Sequence, residues 1–240
     1  MRLFITGDTH GEYGRLLQFD QMLKPGDYLI ICGDFGYIFK DNAEEKRLLD
    51  EIEKKEYKLL FVDGNHENFD ALYAYPVEEW HGGKIHRIRK NIIHLCRGQV
   101  YEIEGKKFFA FGGGYSLDKA CRREGVSWWP QEMSKDGEFI EANNNLDKVG
   151  RTVDYIITHT APESIIGMMG YKNVYEEKPI NNFFEYINES VDYKHWFMGH
   201  LHRDVDINEK MTVLWFDTKK LLMESNTLWN TNIRLNSLRK

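Results

Sequence analysis

The chain is poor in several features that would mark a protein class. Three cysteines, Cys32, Cys96 and Cys121, are too few and too unevenly spaced for a disulfide framework, and Cys32, which closes an apolar run, reads as a small buried residue. Five prolines and no Pro/Ser-rich tract, internal repeat or low-complexity segment leave no place for a linker, so one domain over residues 1–240 is expected. No apolar run approaches the eighteen or so residues a membrane span requires. The N-terminus runs straight into an apolar strand pattern, without the charged and apolar regions of an export signal. A soluble, cytoplasmic protein with no membrane partner is the expectation. Basic charge is short as well: 32 Lys+Arg against 38 Asp+Glu give a net charge of -6, which excludes the footprint of a general nucleic-acid binder. At 42% hydrophobic and 29% charged, the composition also excludes a disordered chain.

What the chain does have is a set of apolar runs that end in metal-binding residue types. They read Leu3-Phe4-Ile5-Thr6-Gly7-Asp8-Thr9-His10, Leu29-Ile30-Ile31-Cys32-Gly33-Asp34, Leu59-Leu60-Phe61-Val62-Asp63-Gly64-Asn65-His66-Glu67, Tyr155-Ile156-Ile157-Thr158-His159 and Trp196-Phe197-Met198-Gly199-His200-Leu201-His202. Each looks like a buried strand opening into a turn, and ligands in open α/β folds sit at the carboxyl ends of such strands. A glycine stands directly before the ligand type at Asp8, Asp34, Asn65 and His200. A residue without Cβ lets the chain turn sharply and lets groups approach closely.

The first ninety residues alternate in a βα manner. Helices are expected over Tyr13 to Leu23, over Asp41 to Lys55 and from near Asn68, with strands Asp27 to Cys32 and Tyr57 to Val62 between them. Short strands then follow at Ile92 to Leu95, Val100 to Ile103 and Lys107 to Phe111, and again at Val205 to Asn208 and Met211 to Phe216. Tight polar turns such as Glu104-Gly105 point to hairpins. Two β-rich halves flanked by helices fit a layered sandwich. The stretch from Gly112 to Asn145 is a long excursion beyond a strand end, carrying Arg122, Arg123, Trp128 and Trp129, and such connections often cover an active site. A surface subdomain packed on its own tryptophans accounts for it equally well.

Asp8 and His10, like His200 and His202, are two residues apart and can reach one metal or two adjacent metals. Carboxylate, carboxamide and imidazole favour Mn, Fe, Zn, Co or Ni over calcium, and the lack of a cysteine among them argues against a structural zinc. Two such ions need a bridging carboxylate, for which Asp34 is the natural candidate. His81, His86, His94 and His195 read as structural.

The ordered blocks Gly7-Asp8-Thr9-His10, Gly33-Asp34, Gly64-Asn65-His66-Glu67, His159 and Gly199-His200-Leu201-His202 closely resemble the signature of the calcineurin-like metallophosphoesterase superfamily. The resemblance implies a four-layer α/β/β/α sandwich of two mixed sheets flanked by helices, with two divalent metal ions, Mn foremost, between the sheet ends. It places Asp8, His10, Asp34 and His202 on one metal and Asn65, His159, His200 and again Asp34 on the other, and leaves His66 a non-ligand. Two cations generate hydroxide from a bridging water near neutral pH, and His66 would be the acid that protonates the leaving oxygen.

In one respect the chain departs from the family's Ser/Thr protein phosphatases. Tyr37 and Ile38 stand where that branch has an orienting Asp and a phosphate-gripping Arg, so the motif does not support protein phosphatase activity. Arg122 and Arg123 are candidates for that grip, against the plainer reading of a solvated basic turn. The implied function is hydrolysis of phosphate mono- or diesters. The alternatives are a nuclease or cyclic-nucleotide phosphodiesterase on the same centre, with nucleic acid entering only as substrate, and a non-catalytic phosphate-binding module.

Overall fold

The computed structural model describes residues 1–172 and 174–222. The expected single domain over 1–240 therefore extends into residues outside the described ones. In chain order the first half holds β1 (Arg2–Thr6), α1 (Tyr13–Phe19), β2 (Tyr28–Ile31), α2 (Ala43–Glu53), β3 (Lys58–Phe61), α3 (Phe69–Leu72), β4 (Val77–Trp80), β5 (Gly83–Arg89), β6 (Ile92–Leu95), β7 (Gln99–Ile103) and β8 (Lys106–Phe111). The second half adds α4 (Asp136–Lys148), β9 (Tyr155–Thr158), α5 (Glu163–Met168), α6 (Lys178–Ser190), β10 (His195–Met198), β11 (Val205–Asn208), β12 (Met211–Val213) and β13 (Thr218–Leu222).

The strands form two mixed sheets, one ordered β13-β1-β2-β3-β6-β5-β4 and the other β11-β12-β10-β9-β8-β7. Both are parallel in the middle and antiparallel at the margins: β1, β2, β3 and β6 run parallel, as do β8, β9, β10 and β12. The alternation of side chains along each strand separates three cores. Leu3, Ile30, Leu60, Phe108, Ile157 and Phe197 meet between the sheets. Their neighbours Phe4, Leu29, Leu59 and Phe61 face the other way, onto Leu16 and Phe19 of α1 and Leu49 and Ile52 of α2. Phe109, Ile156, Trp196 and Met198 pack on Ile180, Phe183, Phe184 and Ile187 of α6, which share one face at helical spacing. The result is a four-layer α/β/β/α sandwich.

The helix starts follow local chemistry. Asn42 caps α2 by accepting from the Glu45 N–H at 2.9 Å, and Asn68 caps α3 by accepting from Ala71 at 3.0 Å. Glu104 and Gly105, with φ of 52° and 71°, make the hairpin turn between β7 and β8.

Three local expectations are corrected. Ile92–Leu95 and Gln99–Ile103 do not form a hairpin but belong to different sheets, so the chain crosses the sandwich between them. The strand expected over Met211 to Phe216 stops at Val213, because the Asp204 carboxylate takes the N–H groups of Trp215, Phe216 and Asp217 at 2.7, 3.1 and 2.8 Å. The first helix ends at Phe19 rather than Leu23, giving way to a turn in which the Met22 and Leu23 N–H groups both bond the Phe19 carbonyl. Among the described residues no helix is long and apolar enough to cross a membrane.

Candidate metal centre

β1, β2, β3, β9 and β10 all deliver residues one to four positions beyond their carboxyl ends to one edge of the sandwich. The turns there are tight enough to force His10, Asp34, His200 and His202 into the left-handed region, with φ of 48°, 47°, 63° and 48°. Such strain in non-glycine residues persists only where surrounding contacts enforce it, and it clusters at functional sites. A Cβ on Gly64 would collide with the Asp34 carboxylate, and one on Gly33, itself at φ +92°, would collide with the His159 ring. The glycines thus leave room for side chains arriving from neighbouring strands.

The side chains converge in two groups. Asp8, His10, Asp34 and His202 each offer one donor atom, all within 4.8 Å of one another. His202 Nε2 lies 3.1 Å from Asp8 Oδ2 and 3.1 Å from His10 Nε2, and His10 Nδ1 lies 3.7 Å from Asp34 Oδ2. In the second group His159 Nε2 lies 3.1 Å from Asn65 Oδ1, 3.2 Å from His200 Nδ1 and 3.4 Å from Asp34 Oδ1. Asp34 therefore belongs to the first group and, through Oδ1, borders the second as well. Neighbouring ligands on a cation with bonds of about 2.1 Å lie roughly 3 Å apart, so these spacings suit divalent ions.

The tautomers fit the same reading. His159 Nδ1 is 2.9 Å from the Cys32 carbonyl, so it carries the proton and Nε2 is left as a lone pair. His200 Nε2 is 3.2 Å from Glu177 Oε1, which in turn leaves Nδ1 free to face the centre. Asp8 is held by the His200 N–H at 3.0 Å. The loop after Asp34 is held by the buried Glu67 carboxylate, which accepts the Phe35 N–H at 2.7 Å, and the Thr9 and His10 N–H groups bond the Asp34 carbonyl at 3.1 and 2.8 Å.

His66 sits beside this cluster without joining either group, its ring centroid 4.7 Å from that of His10. Arg122, from the excursion, places Nη2 2.7 Å from His66 Nε2, while its Nε pairs with Asp118 Oδ1 at 2.7 Å. Arg123 is exposed, and its backbone N–H is held by Ser127 Oγ at 2.9 Å. The excursion is tied down elsewhere by Trp129, which is buried and donates to Asp70 at 3.0 Å. Tyr37 and Ile38 are core residues of the outer layer. A cleft of about 260 Å³, lined by His10, Gly36, Phe39, Lys40, Asn42 and His66, opens beside the cluster.

Residues 1–204 match the family described as calcineurin-like phosphoesterase. The chain belongs to that family. As a calcineurin-like phosphoesterase it is a metal-dependent hydrolase of phosphoric esters. Its fold is similar to that of TT1561 of Thermus thermophilus, at 12% identity and a TM-score of 0.47 over 97% of this chain and 99% of that one. It is also similar to the phosphopantetheinyl hydrolase PptH of Mycobacterium tuberculosis, at 15% identity and a TM-score of 0.45 over 89% of each chain. A serine/threonine phosphatase from Saccharomyces cerevisiae aligns at 15% identity and a TM-score of 0.36, over 90% of this chain and 67% of that one. No curated protein sequence matches this chain.

Two residues of this phosphoesterase's centre escape sequence reasoning. Glu177 lies just before α6, and nothing in its local sequence ties it to His200. Arg15, on α1, is buried and bonds the Asp8 and Trp215 carbonyls, with Thr6 Oγ1 at 3.0 Å. The spacing of Arg15, Leu16 and Phe19 puts it on the buried face of α1, and that is the signal available for it.

Proposed function

We propose that this phosphoesterase hydrolyses phosphate mono- or diesters at a dinuclear centre, with Asp8, His10, Asp34 and His202 holding one divalent ion and Asn65, His159, His200 and Asp34 the other. The observation that carries the reading is the Asp34 carboxylate, which belongs to the first donor group and lies, through Oδ1, 3.4 Å from His159 Nε2 of the second. Bound divalent ions acidify water and neutralise phosphoryl oxygens, and the oxygen- and imidazole-rich donor set makes manganese the first metal to test.

The remaining work falls to this chain's own groups. Guanidinium has no acceptor, so at 2.7 Å Arg122 donates to His66 Nε2, which makes that nitrogen an acceptor and puts the ring proton on Nδ1. Arg122 is also the side chain best suited to grip a phosphoryl group in bidentate fashion. When phosphoryl oxygens draw Arg122 onto themselves, His66 Nε2 is released to take up a proton from solvent and pass it to the leaving oxygen. The cleft beside His10, Phe39 and Lys40 accommodates a small ester better than a folded protein.

The test is a screen of mono- and diester substrates against several divalent metals. With manganese added, the protein hydrolyses p-nitrophenyl phosphate or its bis ester. Silence toward both with every metal would overturn the reading.

A further inference from the structure

A second group of donors lies away from the centre, on the ladder between β5 and β6. His86 and His94 are directly paired across these antiparallel strands. Cys96 follows His94 by two residues, and its N–H continues the ladder onto the Lys84 carbonyl at 3.2 Å, so the three side chains share one face. That face is the outer one, because Ile85, Ile93 and Leu95 between them point into the core between the sheets.

The donor atoms are close. His86 Nδ1 is 2.9 Å from His94 Nδ1 and 3.7 Å from Cys96 Sγ, and all three donors lie within 4.8 Å of one another. The imidazole planes are within 3° of parallel. His94 Nε2 is 3.1 Å from Asp63 Oδ1, a carboxylate also held by Arg97 Nε at 2.9 Å. That contact places the ring proton on Nε2 and turns the Nδ1 lone pair toward His86 and Cys96. A carboxylate behind an imidazole in this way is the usual orienting partner of a metal-bound histidine. In a tetrahedral zinc site, bonds of about 2.0–2.1 Å to nitrogen and about 2.3 Å to sulfur separate two nitrogens by about 3.3 Å and a nitrogen from a sulfur by about 3.6 Å. The His86–His94 and His86–Cys96 spacings lie within about half an ångström of those edges, and the His94–Cys96 pair is within 4.8 Å.

The geometry points to a separate mononuclear site at His86, His94 and Cys96 for a thiophilic divalent cation, zinc foremost. Two neutral imidazoles and one thiolate supply three ligands, and water completes the fourth position beside the half-buried Cys96. On binding, the Cys96 thiol loses its proton to solvent and the new bond forms between sulfur and metal. The plainer account is a hydrogen bond between the two histidines relayed to Asp63, with Cys96 Sγ a weak partner of the same His86 nitrogen. Through Asp63, which precedes Gly64-Asn65, the ladder site is joined to the strand end that carries a proposed ligand of the main centre.

Cobalt(II) tests the assignment, because a thiolate bound to cobalt gives a charge-transfer band in the near ultraviolet, whereas oxygen and imidazole ligands, the donors proposed for the main centre, do not. Cobalt is titrated into the full chain after its main centre has been loaded with manganese, under reducing conditions. The band should rise to saturation at one equivalent, disappear when zinc is added, vanish in Cys96→Ser, weaken in His86→Asn and persist in Cys121→Ser. Absence of the band in the unmodified protein would overturn the assignment without reference to any variant. So would a band that survives Cys96→Ser. Neither result bears on whether the main centre hydrolyses esters.

Discussion

The guanidinium of Arg122 lies 2.7 Å from Nε2 of His66, joining the long excursion after β8 to the residue proposed as the acid. If phosphate draws this guanidinium away, Arg122→Ala should lower kcat/KM by roughly ten- to a hundredfold, the scale of about 1.5–3 kcal/mol for a hydrogen bond to a charged group. Arg122→Lys should recover only part of that, since an ammonium cannot grip in bidentate fashion. Steady-state kinetics of the two variants check this, and full activity in Arg122→Ala would remove the arginine from the mechanism.

His66→Ala should keep both metals while slowing turnover by roughly 10² to 10⁴ for esters with poor leaving groups. Activated nitrophenyl esters, whose leaving oxygen needs no proton, should be spared. A uniform loss across both substrate types would show that His66 does not act as the acid.

Glu177 fixes the proton of His200 on Nε2 at 3.2 Å and so aims Nδ1 at the second donor group. Glu177→Gln should weaken metal binding by roughly ten- to a hundredfold. Competition against a chelator measures this directly, and unchanged affinity would reduce Glu177 to a packing role.

How far the sequence alone reaches is clearest at the strand ends. The apolar runs closed by glycine and a ligand type locate β1, β2, β3, β9 and β10, and those strands bring Asp8, Asp34, Asn65, His159 and His200 together. Periodicity and turn residues work there because each run is buried on both faces. They fail where long-range contacts decide. Nothing local says that Ile92–Leu95 pairs in parallel with β3 while Gln99–Ile103 starts the other sheet. Helix α6 carries its pattern in Ile180, Phe183, Phe184 and Ile187 and was open to reading. Arg122 could be suspected from its charge, but only the folded excursion separates it from Arg123. His86 and His94, read singly as structural, acquire their interest from cross-strand pairing and from Cys96.

Stability should also report on His195, which is buried on β10 with Nε2 2.8 Å from Thr212 Oγ1. Burial pushes its imidazole down to about 4, so the native state resists a proton that the unfolded chain accepts near pH 6.5. The sign follows: stability is full above about pH 6.5 and falls as the pH drops toward 4, by on the order of 3 kcal/mol below both values. Urea unfolding of chelator-treated protein at about pH 7.5 and about pH 4 should show a smaller loss in His195→Gln than in the unmodified chain. Equal losses would contradict the assignment.

The central claim is that one carboxylate serves two adjacent metals. Electron paramagnetic resonance of the manganese-loaded protein tests it most directly, because ions about 3.5–4 Å apart across a shared carboxylate are magnetically coupled. The account predicts a coupled two-manganese spectrum that Asp34→Asn abolishes. A spectrum of isolated manganese in the unmodified protein, or coupling that survives Asp34→Asn, would contradict it.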